Sequence, residues 1–142
     1  MDVLQLLGAA LALFVTLGVG TVAHEYAHAA VLSLAGIPYD TEWLPDSDGS
    51  DYLRAGAFGT WASVTPRDLP ADTSPWLLRV SALMPLTLAT PFVLVAAGVL
   101  PDPATLGNPY LVTAAVAWFA CALPSPQDFS LVWYAERAIA EA

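Results

Sequence analysis

The sequence predicts an all-α integral membrane protein: three transmembrane helices, a short β-hairpin-like loop after the first, and a C-terminal interfacial helix. Three observations predict it. The 142 residues are 57% hydrophobic and only 12% charged, about half the charged fraction of a soluble domain. The apolar residues fall in three runs, at about 3–35, 76–100 and 109–123, and the longer two exceed the ~20 residues that a bilayer crossing needs. Between the first two runs the composition turns to Pro, Asp, Ser and Gly, and seven of the thirteen acidic residues lie in that stretch, 37–75. The whole, 1–142, reads as one membrane-embedded domain.

The first run carries no charge from residue 3 to 23, and helix-compatible composition continues to about Ala35, where Gly36 and Pro38 stop it. A helix of that length is roughly 50 Å long, more than the hydrocarbon thickness. It must tilt, protrude or bend near Gly18 and Gly20. Asp2 stands where a signal peptide has basic residues, and the apolar run is too long for an h-region, so no signal peptide is expected.

The 37–75 segment is expected to be a solvent-facing loop. In "IPYDTEWL" the residues Ile37, Tyr39, Thr41 and Trp43 alternate with Asp40 and Glu42, a period of two that predicts a strand. "AGAFGTWASV" is its expected partner across the turn-rich "PDSDGSD". The second run contains Pro85 and Pro91, which a membrane helix tolerates where neighbours satisfy the freed carbonyls. The third run, Tyr110 to Leu123, covers about 21 Å at helical rise and is a short crossing. "PSPQDFS" breaks it, and an amphipathic interfacial helix is expected over 126–142. Three spans place the loop and the tail on one side, together with all four arginines: Arg54, Arg67, Arg79 and Arg137. By the positive-inside rule that side is cytoplasmic, which makes this a multi-pass protein of the cell membrane.

The net charge of −9, with no lysine, excludes a nucleic-acid partner, because nothing could neutralise a row of phosphates. It is similar to the acidic, lysine-poor surfaces of proteins from salt-loving microbes, where charge maintains solubility. Cys121, the single cysteine, can form no internal disulfide and implies no oxidising compartment.

One stretch resists this apolar reading. "TVAHEYAHAAVL", residues 21–32, holds both histidines of the chain, four apart around Glu25. His24-Glu25-Tyr26-Ala27-His28 is an HExxH motif: on a helix the two imidazoles lie on one face and can bind a single ion, with the glutamate beside it. Zinc suits the pattern, because it makes water acidic near neutral pH, and Glu25 is then the candidate general base. Chance produces the motif in such a chain about once in two thousand, and ionisable groups inside a membrane helix point by default to function. Gly20, Thr21 and Ala27 are small and allow another helix to approach. The competing reading is a non-enzymatic membrane protein, with a structural metal or a histidine contact between helices. A metal transporter fits poorly, since the spans carry one histidine pair and no second acidic residue.

A catalytic zinc needs a third protein ligand. The candidates are Asp128, Cys121 and Glu136. Asp128 also ends a Ser125-Pro126-Gln127-Asp128 capping box, so ligand and helix cap stand side by side as its roles.

HEYAH at the end of a first membrane helix, a proline-interrupted second helix and a Pro-x-Pro-x-Asp segment after a third resemble the three-helix core of the site-2 protease family of intramembrane zinc metalloproteases. The resemblance implies Zn2+ held by His24, His28 and Asp128, with Glu25 as general acid and base. It implies hydrolysis of a peptide bond in or next to a transmembrane segment of a membrane protein, with the active site toward the cytoplasm. It also implies that the hairpin could take up an unwound substrate segment as an added strand. The chain departs from the family pattern in places. Cys121 stands where the family has asparagine, Phe129 replaces a glycine, and Met84-Pro85-Leu86-Thr87-Leu88 keeps only the proline of a Gly-Pro-x-x-Asn segment. Under this resemblance the chain is a divergent, minimal member, or one of a neighbouring family of membrane zincins with the same core.

Overall fold

A computed structural model describes residues 2–43, 62–67, 69, 70 and 72–140. Helix α1 spans Val3–Leu34, strands β1 and β2 span Tyr39–Trp43 and Ala62–Pro66, and helix α2 spans Pro75–Leu83. A 3-10 helix, Met84–Ala89, leads into α3, Thr90–Ala96; α4 spans Pro109–Ala122 and α5 spans Pro126–Ala140. Among the described residues, three helical stretches are long and apolar enough to cross a membrane: Val3–Leu34, Pro75–Ala96 and Pro109–Ala140. Only 11% of the most apolar window of α1 is buried, so Val3, Leu7, Leu11, Phe14 and Val19 present an exposed hydrocarbon surface. A helix apolar all round, with its side chains outward, suits lipid better than water.

The ends of α1 follow the sequence. Gly36 takes a left-handed φ of 71°, its N–H donates to Ser33 O, and the N–H of Ile37 donates to Leu32 O. This pair of bonds is a Schellman closure, in which glycine occupies the left-handed position without a Cβ clash. Helix α1 runs on through Gly18 and Gly20 as one continuous helix.

The second run departs from a single helix. Pro85 and Pro91 lack the N–H groups that would bond the carbonyls four residues earlier. The run divides into α2, the 3-10 segment and α3, and it leaves helical structure after Ala96, short of the expected residue 100. The third run matches its expected limits closely: Asn108 caps α4 by accepting from the N–H of Tyr110. Leu123 is extended, and α5 follows.

The chain divides into two compact units. One comprises Met1–His24 and Pro85–Pro126. In it, α1 and α4 meet through glycine: a Cβ on Gly8 would come within 2.7 Å of the Tyr110 ring, and one on Gly20 within 2.6 Å of Cys121 Sγ. Phe92 and Phe119 pack edge to face at 5.0 Å, and Trp118 Nε1 donates to Leu88 O at 2.9 Å. Gly20→Val is therefore expected to lower unfolding free energy by about 1–3 kcal/mol through overpacking. Denaturant titration in detergent reads this, and an unchanged midpoint would contradict the contact.

The other unit comprises Glu25–Met84 and Gln127–Ala142. Strands β1 and β2 pair antiparallel, with Tyr39 opposite Pro66, Thr41 opposite Val64 and Trp43 opposite Ala62. The expected partner strand thus runs past Val64 to Pro66, while its expected part 55–61, the turn 45–51 and Arg54 lie outside the described residues. Arg67 grips the Asp40 carboxylate through Nε, at 2.8 Å, and Nη2.

Helix α5 is kinked at Tyr134, with φ −119° and ψ 25°. Tyr134 lies between Val132 and Glu136, which are four residues apart in α5. Arg79 Nε donates to Val132 O at 3.0 Å and Nη2 to Glu136 Oε1 at 2.6 Å, while the Glu136 carboxylate also accepts from its own N–H. The guanidinium lies 5.7 Å from the Trp76 ring centroid. Arg79→Ala removes a charged donor from the Val132 carbonyl beside the kink. Amide exchange across 126–140 is expected to accelerate about tenfold, read by mass spectrometry, with α1 as the unaffected control.

Candidate metal centre

His24 and His28 lie one turn apart on α1 and are buried, as is Glu25 between them, each 8% exposed. The boundary between the two units falls after His24, inside a helix that is unbroken there. The turn from His24 to His28 lies within the continuous helix α1.

Each imidazole is tied by its Nδ1. His24 Nδ1 lies 2.7 Å from Cys121 O, and His28 Nδ1 lies 2.8 Å from Ser81 O. A carbonyl oxygen can only accept, so both Nδ1 atoms carry the hydrogen. In the neutral ring this leaves the lone pair on Nε2, the form in which histidine binds a metal, with the outer hydrogen bond fixing tautomer and ring orientation.

These two carbonyls accept for a local reason. Pro85 stands four residues after Ser81 and offers no N–H, so Ser81 O has only the short 3-10 bond from Met84 N within its own helix. Cys121 is in the last turn of α4, where carbonyls lack helical partners. Neither residue was predicted in this role. The signal was present as a proline four positions after Ser81 and a helix end just after Cys121, but it concerns backbone oxygens, which residue type does not advertise.

Asp128 is in the first turn of α5 and is 6% exposed. Its Oδ1 lies 3.2 Å from His28 Nε2. With Nδ1 committed to Ser81 O, two lone-pair-bearing atoms face each other across that distance. They repel unless a proton or a cation stands between them. Among the described residues, His24, His28 and Asp128 form a buried group whose ligand atoms lie within 4.8 Å of one another, and this group can hold a metal ion.

The other two candidates are placed elsewhere. Cys121 directs its thiol toward Leu17 O, at 3.8 Å, and offers His24 its carbonyl. Glu136 is paired with Arg79. Glu25 lines a cleft of about 90 Å³ together with Tyr26 and Ala29 of α1 and Tyr39, Thr41, Trp43 and Val64 of the hairpin. The period of two in β1 accounts for this lining: its odd-numbered residues share one face, and Asp40 and Glu42 lie on the other.

Comparison of the chain with protein-family models, curated proteins and solved structures gives no match. The functional reading therefore rests on the residues themselves.

Proposed function

We propose that this protein is an intramembrane zinc metalloprotease that hydrolyses a peptide bond in or next to a transmembrane segment of a membrane-protein substrate. The observation that carries the reading is the contact of His28 Nε2 with Asp128 Oδ1, made while Ser81 O holds the hydrogen on Nδ1. A buried carboxylate and a ring nitrogen in that state are arranged as donors to a shared cation. Two imidazoles and one carboxylate are the protein donor set of a catalytic zinc, which keeps a coordination position open, whereas structural zinc sites are closed by four protein ligands.

Zinc, when bound, supplies Lewis acidity that polarises a carbonyl and makes water a stronger acid. The remaining steps belong to the chain. The carbonyl partners of His24 and His28 fix the hydrogen on Nδ1 and turn Nε2 toward the site as the donor atom, and the charge of Asp128 would offset that of a bound cation. Glu25 takes a proton from the attacking water on its carboxylate and returns it to the leaving amine. A helical substrate has to unwind first, because a peptide group inside a helix presents no extended backbone, and its freed polar groups need partners in lipid. The exposed edges of the two-stranded hairpin can supply them. The four arginines of the loop, the second span and the tail support a cytoplasmic side of the cell membrane for this chemistry.

The test is metal analysis of the purified protein beside its Glu25→Gln variant, followed by a search for membrane proteins left uncut in cells that carry the variant. Protein purified without zinc would remove the reading.

A further inference from the structure

The cleft beside Glu25 is built from two elements whose chemistry is unequal. Glu25 and Ala29, one helical turn apart on α1, are 8% and 4% exposed and form its floor. Tyr26 and Trp43, 64% and 47% exposed, stand at its rim. Thr41 and Val64, directly opposite each other in the hairpin register, make the far wall. Among the described lining residues Glu25 carries the one charge.

We propose that this cleft is a specificity pocket that accepts an uncharged aliphatic side chain of the substrate, on the residue next to the bond being cut. The proposal rests on the metalloprotease reading and adds the substrate class. Size and charge decide the class. A cleft of about 90 Å³ exceeds by several fold the ~10–15 Å³ that one water requires. A branched aliphatic chain fits such a space against Ala29, Thr41 and Val64. An acidic side chain meets the like charge of the Glu25 carboxylate in the lining. A basic side chain pairs with Glu25 and occupies the carboxylate that the reaction needs as a base. The aromatic rim covers the occupant and excludes water, as rings at a binding surface do.

Hydroxamates test this without knowledge of the natural substrate, because the hydroxamate group chelates zinc and the rest of the molecule probes the wall. The full chain, zinc-loaded in detergent, is titrated by calorimetry with acetohydroxamate and with hydroxamates carrying isobutyl, carboxymethyl or aminobutyl on the adjacent carbon. The isobutyl compound is expected to bind about 30-fold more tightly than acetohydroxamate, the value for several buried methylene groups, and the carboxymethyl compound no more tightly. Thr41→Phe fills the far wall and is expected to abolish the isobutyl advantage while acetohydroxamate affinity stays within about twofold. Thr41→Ala, which folds if the bulky replacement does not, is expected to widen the pocket and favour a benzyl side chain. Equal affinity for acetohydroxamate and the isobutyl compound, or an isobutyl advantage that survives Thr41→Phe, overturns the pocket and leaves the metal site standing. No binding of acetohydroxamate overturns the metal site and the pocket together.

Discussion

Asp128→Ala and His28→Ala proteins, purified in detergent beside the wild type, are expected to lose more than about 100-fold in zinc affinity, a larger loss than the 10- to 100-fold typical of a group that only orients a ligand. The argument begins at His28. Its ring is held at Nδ1 by Ser81 O at 2.8 Å, and its Nε2 lies 3.2 Å from Asp128 Oδ1. Removing Asp128 takes away the anionic donor and leaves two neutral imidazoles in a buried site, where a divalent charge is costly to hold. Asp128→Asn keeps the shape and loses the charge, so its affinity is expected between those of Asp128→Ala and the wild type. Cys121→Ser is the informative control. Cys121 serves His24 through its backbone oxygen, so this variant is expected to retain zinc, whereas a thiolate ligand would make it lose the metal. Zinc by mass spectrometry of dialysed samples reads all four variants. Full retention by Asp128→Ala would return that residue to the role of a helix cap.

Glu25→Gln is expected to do the reverse: zinc stays bound and proteolysis falls by about 10²–10⁴-fold, the usual contribution of a positioned general base. Glutamine fills the same space on the cleft floor and accepts no proton. The measurement compares membrane proteins in cells carrying the wild-type chain or the variant. An uncut membrane protein should accumulate with Glu25→Gln, and its fragment should return with the wild type. A variant that holds zinc and changes no membrane protein would favour the structural-metal reading.

The residues that proved legible from sequence share a property: their partners are near in the chain. HExxH works because positions four apart share a helix face. Gly36 ends α1 through bonds that reach back only to Leu32 and Ser33. The alternation of Tyr39, Thr41 and Trp43 placed them on one side of a strand, and the cleft uses all three. Pro85 and Pro91 were visible as interruptions, but how far they divide the helix depends on packing, and the outcome is a 3-10 segment at Met84–Ala89. The partner strand was expected in the right stretch but short of its end, since register depends on cross-strand pairs.

The sequence by itself determined that this chain has three helical stretches able to cross a membrane, and that two histidines and a glutamate share one turn of the first. Both follow from local composition and helical period. Tertiary structure alone brings Asp128, and not Cys121 or Glu136, into one group with the two histidines. The capping-box pattern around Asp128 is a statement about its own helix, whereas the approach of its carboxylate to His28 depends on how α5 folds back. It also decided the ring tautomers, because the carbonyls of Ser81 and Cys121 become acceptors only where another element brings an imidazole to them. Contacts of this kind join residues far apart in the chain, and no short-range pattern encodes them.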